Sequence, residues 1–86
     1  MSTELEMLIP LMDCIRLVKD SFERGIGREA KNIYLGDAEY EGANAFIRRV
    51  LKYPDDVKDP IAERTPYIHG MKVHHIYSKS YLSVSL

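Results

Sequence analysis

Three histidines, one cysteine and a run of acids are the residues in this chain best suited to chemistry. His69, His74 and His75 lie within seven positions of one another. Neighbouring residues of a strand point to opposite faces, so His74 and His75 cannot readily chelate one metal ion together. His69 could join one of them only if the chain folds back at Gly70 and an acid from the preceding loop supplies a third ligand. The two-histidine helical spacing of zinc enzymes is absent. Asp55, Asp56, Asp59 and Glu63 could offer oxygen to a hard cation, but the glycine and bidentate glutamate of a calcium loop are missing, so a solvated loop is expected. Cys14 sits in an amphipathic stretch with no neighbour that would lower its pKa, and reads as a small core residue rather than a nucleophile. Neither Gly25-Ile26-Gly27 nor Gly36 matches a phosphate loop or a dinucleotide fingerprint. The chain is therefore expected to hold no metal and no cofactor, and not to be an enzyme.

Binding remains. Six tyrosines accompany no tryptophan, and Tyr34, Tyr67, Tyr77 and Tyr81 fall in stretches that read as strands. Rigid amphipathic rings on an open sheet face suit a protein interface. Met7, Leu8 and Met12 add apolar contact near the start of the chain. Met7, Leu8, Met12, Tyr67, Tyr77 and Tyr81 are thus the expected contact residues, for another protein or for a second copy in a homodimer. A nucleic-acid interface is the alternative, built from Arg24, Arg28, Lys31, Arg48, Arg49 and Lys52. Cations at the end of a helix also complement its dipole, and a net charge of -1 over the chain gives no general attraction to a polyanion.

The elements that must position these residues follow from spacing. Leu8, Leu11, Ile15, Val18 and Phe22 recur at three and four and predict a helix over residues 3–24. Thr3 with Glu6 or Pro10 marks its start, and Gly25 and Gly27 stop it. Met7, Met12, Cys14 and Leu17 leave that stripe, so more than half the circumference is apolar and a partner is expected to cover part of it. Asn32 to Leu35 reads as a strand, Gly36 as a sharp exit, and Asp37 as the side-chain cap of a second helix reaching about Lys52. That helix should turn Tyr40, Ala43, Ile47, Val50 and Leu51 inward. A proline-bearing loop from Asp55 to Thr65 leads to Tyr67-Ile68-His69 and then to two strands, Met71 to Tyr77 and Tyr81 to Leu86, expected to pair as an antiparallel hairpin.

A strand, a helix and a second strand favour a parallel crossover. The expected fold is one α+β domain over 1–86, with two helices on one face of a three-stranded mixed sheet. With 86 residues, 45% hydrophobic and 29% charged, the composition is that of a small globular protein. One cysteine excludes an internal disulfide, and Glu4 and Glu6 stand where a signal peptide needs positive charge, so a cytoplasmic protein with no membrane association is expected.

The first helix, Asn32-Ile33-Tyr34-Leu35, the helix after it, and His69-Gly70-Met71-Lys72-Val73 beyond the loop together resemble a segment of tailed-bacteriophage capsid proteins. The order of parts is also similar to that of small proteins encoded by phages and prophages. The resemblance spans most of residues 10 to 86 and implies a phage or prophage origin and an α+β fold. The chain lacks the regions with which capsid proteins build shells, so neither assembly nor any site residue is carried over.

Overall fold

The computed structural model describes the backbone from residue 3 to residue 86 and the side chains from residue 10 onward. Three helices and four strands occur among the described residues: α1 (Thr3–Ile26), β1 (Asn32–Leu35), α2 (Asp37–Leu51), α3 (Pro60–Glu63), β2 (Tyr67–Ile68), β3 (Met71–His75) and β4 (Leu82–Ser85). The α+β class is as expected, with one more strand and one more short helix. Lateral order in the sheet is β2-β3-β1-β4. β1 runs parallel to β3, as a crossover through α2 requires, and antiparallel to β4.

That order corrects the expected hairpin. β3 and β4 do not pair with each other; they flank β1 on its two sides. The segment joining them bridges the width of β1 by passing over the start of α2. There the amides of Gly36, Asp37 and Ala38 donate to the carbonyls of Tyr81, Ser78 and Lys79 at 2.8, 2.7 and 3.0 Å. Free amides of a first helical turn need acceptors, and the crossing segment supplies them. Asp37 is accordingly not the side-chain cap that was expected: Gly36 is the N-cap residue and no side chain caps the turn. A Cβ at Gly36 would lie 2.5 Å from the Tyr81 nitrogen, so only glycine allows so close a crossing.

Alternation along the strands sorts the sheet into two faces. Ile33, Leu35, Val73, Met71, Leu82 and Val84 belong to the face that packs on the helices. Asn32, Tyr34, Lys72, His74, Ser83 and Ser85 occupy the other. From α1 the stripe Leu11, Ile15, Val18 and Phe22 meets the core as predicted, with Ile15 wholly buried. Ile15, Ile33, Leu35 and Met71 each contribute roughly 1.5–3 kcal/mol by leaving water.

The inward stripe of α2 ends early. Ala43 and Ile47 are buried, but Val50 and Leu51 are 54% and 51% exposed. A helix of 15 residues extends about 22 Å, while a strand of four covers about 13 Å, so the last turn of α2 overhangs the sheet. Within the expected loop, Asp59 starts α3 by accepting from the amide of Ala62, and Glu63 accepts from the amide of Asp59. This reciprocal pair accounts for two of the loop's acids.

Candidate docking surface

Two places gather side chains with chemical potential. The first surrounds the end of β3. His75, its last residue, lies on the helix side, and its Nε2 is 2.7 Å from Oδ1 of Asp37 in the first turn of α2. The imidazole stacks on Tyr40 with ring centroids 4.3 Å apart and planes within 9°, and Tyr77 tilts against it at 5.4 Å. The Tyr40 hydroxyl donates to both oxygens of Asp59 at 2.9 and 3.0 Å, and Asn44 donates to Asp59 at 3.1 Å. Asn44 in turn accepts from the amide of Ile61 at 2.9 Å.

Burial, and then the Asp59 carboxylate beside it, push the Tyr40 phenol up to about 12. Burial works against ionisation of Asp59 itself. The Ala62 amide, Asn44 and Tyr40 outweigh it and hold the carboxyl below its ordinary range. Every one of these groups is directed at another part of the chain. The cluster ties α2 to β3 and to α3.

The remaining histidines go elsewhere. His74 is on the opposite face, stacked on Tyr34 at 5.0 Å and bonded to Oδ1 of Asn32 at 2.9 Å. His69 is exposed in the β2–β3 turn at φ 50°. Among the described residues no group of three histidines, cysteines or acids could hold a metal ion. An anion site at the start of α2 is closed as well, since loop carbonyls already occupy its first amides.

The second place is a groove of about 510 Å³ between α1 and β4, lined by Cys14, Leu17, Val18, Ser21, Phe22, Leu82, Ser83 and Val84. Leu17 is 57% exposed and Cys14 is exposed too, which corrects its expected place in the core. Helical spacing explains the shift: Cys14 precedes buried Ile15 and flanks the inward stripe on the side of β4.

β4 is an edge strand. The Gly36 amide donates to the Tyr81 carbonyl and the Lys31 amide to that of Ser85, so the odd-numbered residues of this stretch turn their backbone groups toward β1. The N–H and C=O groups of Leu82 and Val84 then point outward. No charge and no proline occurs from Tyr81 to Leu86, although such residues are the usual guards of an edge.

The expected contact residues do not form one surface. The side chains of Met7 and Leu8 lie outside the described residues. Met12 is half-buried against the core. Tyr67 sits beside the start of β3 and is 56% exposed. Tyr77 and Tyr81 belong to the segment over α2, at the opposite end of the sheet and outside the strands. Of the basic residues, Arg24, Arg28, Lys31, Arg48, Arg49 and Lys52 do gather toward one end, because α1 leads into the start of β1 and α2 runs back from its finish. Arg48, however, donates to the carbonyls of Pro54 and Lys58, and Lys31 pairs with Glu29 at 3.5 Å. The groove was only half legible: the excess apolar residues of α1 pointed to a covered flank, but the free edge beside it depends on the strand order.

No helix among the described residues is long and apolar enough to cross a membrane. No protein-family model, curated protein or solved structure matches the chain.

Proposed function

We propose that this chain is a small non-enzymatic docking protein that acts by binding another protein chain along its α1–β4 side. One observation carries this: an apolar groove with Leu17 largely exposed lies directly beside an uncharged edge strand whose outward backbone groups have no strand partner among the described residues. An added strand gains main-chain hydrogen bonds there while its side chains enter the groove. The tilt of the likeness toward a capsid segment supports a phage accessory setting for such a protein.

Photo-crosslinking tests the proposal. A benzophenone side chain at position 17, in cells of the native host, is expected to give a protein adduct of discrete mass. The same group at exposed Ala62 on α3 should give none. Equal yields from the two positions, or no adduct from position 17, overturn it. Nucleic-acid binding through the basic end predicts salt-dependent retention on heparin that Arg28→Glu with Lys52→Glu abolishes.

A further inference from the structure

We infer that the occupant of the α1–β4 side is a second copy of this chain, joined by antiparallel pairing of β4 with β4 about a two-fold axis. The inference rests on the docking proposal and names its partner. A two-fold interface must be self-complementary, and three features of this side are.

The first is the edge itself. Only Leu82 and Val84 present outward backbone groups within β4, and they are separated by one residue. An antiparallel pairing with Ser83 on the axis places Leu82 of each copy opposite Val84 of the other, so every outward N–H and C=O of the two residues meets a partner. The product is one continuous sheet of twice the four strands, with the helices of both copies on the same face.

The second is the groove. Its sheet wall is Leu82, Ser83 and Val84, the very residues that pair, and its helix wall includes Leu17 and Cys14. Turning the molecule about the axis brings a second α1 alongside the first, so the uncovered apolar flank of each helix faces the same flank of its twin. Neither helix then exposes Leu17 to water.

Charge is the third feature, and it selects antiparallel over parallel. The two ends of the molecule carry it. Arg24, Arg28, Lys31, Arg48, Arg49 and Lys52 outnumber Glu23, Glu29, Asp55 and Asp56 toward one end, and Asp37, Glu39 and Glu41 outnumber Lys79 at the opposite one. A two-fold axis perpendicular to the sheet sets the basic end of each copy beside the acidic end of the other.

Cross-linking through a designed cysteine tests the register. In a Cys14→Ser background, Ser83→Cys lies on the axis, where non-hydrogen-bonded neighbours approach to about 4.5 Å between Cα atoms, within reach of a disulfide. Mild oxidation is expected to convert it to a covalent dimer. Ser85→Cys, whose counterpart is four residues out of register, is expected to remain monomeric. Light scattering of the unmodified chain should give twice the 9.9 kDa monomer mass, and Leu17→Asp should return it to one.

A chain that stays at the monomer mass at millimolar concentration overturns the inference, as does equal cross-linking of the two cysteine variants or a dimer indifferent to Leu17→Asp. In any of these cases a crosslink from position 17 to a different protein would leave the docking proposal standing. Loss of that crosslink too would remove both.

Discussion

Asp59 serves three neighbours with one carboxylate: the Tyr40 hydroxyl, the Asn44 amide and the backbone of Ala62. Asp59→Ala leaves the first two donors short of an acceptor and uncaps α3, so it should lower stability by about 2–3 kcal/mol, read as a drop in the urea midpoint. Asp59→Asn retains an acceptor and should recover part of that loss. The cluster also fixes two limbs of the pH profile. Asp59 and Glu39 both titrate below the ordinary carboxylate range in the folded chain; for Glu39, burial is outweighed by the Ser80 hydroxyl and the Tyr81 amide. As pH falls, the unfolded chain takes up these protons first, so stability present at neutral pH is lost through the acid range. Tyr40 acts at the other extreme. Its folded pKa of about 12 exceeds the unfolded value of 10.0, so between those values the unfolded chain gives up its proton first. Up to roughly 2 kcal/mol should vanish over that interval, and Tyr40→Phe should flatten that limb of a denaturation series.

At the scale of elements, the crossing of the β3–β4 segment over α2 is the joint on which the topology turns. Gly36 adopts φ -73°, which any residue tolerates, so its requirement is space and not backbone freedom. Gly36→Ala drives a methyl into the backbone of Ser80 and Tyr81 and should cost about 1–3 kcal/mol, measured by thermal unfolding. Glu39→Gln leaves the helix intact but weakens its hold on Ser80 and Tyr81. Amide exchange at Tyr81 should then quicken by about tenfold, with less change at Ile33 in the core. Sequence periodicity made α1, β1 and α2 legible because each has its own apolar pattern: Leu11, Ile15, Val18 and Phe22 stand at helical spacing. Tyr67 read as part of a strand, but β2 stayed outside the expected three-stranded sheet because two residues carry no period, and α3 stayed within a loop because its signal is a cap and a proline in a polar run. The hairpin expectation failed for a different reason. Local pattern shows that Met71–His75 and Leu82–Ser85 are extended, but what lies between them depends on which strand carries two buried neighbours. Ile33 and Leu35, both wholly buried, are the residues that claim the central place.

For the molecule as a whole, shape and charge were less readable than class. Summed charge of -1 concealed an excess of cations toward one end and of acids toward the other, which arises only when α1 and α2 both run back from the finish of β1 toward its start. That Cys14 and Leu17 leave the inward stripe of α1 was legible, but that they open onto a free strand edge depends on β4 being last in lateral order. A whole-molecule expectation follows from the groove: alkylation of Cys14 should slow as protein concentration rises, and Leu17→Asp should remove that dependence. The central position of β1 has one more result, felt while the chain is being made. Its neighbours on both sides, β3 and β4, come from the final third of the chain, so a nascent chain halted before Met71 owns two amphipathic helices and a strand with nothing to join. Such an intermediate displays Ile33 and Leu35 to the cell, and the ribosome-bound species should be the form that chaperones and proteases recognise most strongly.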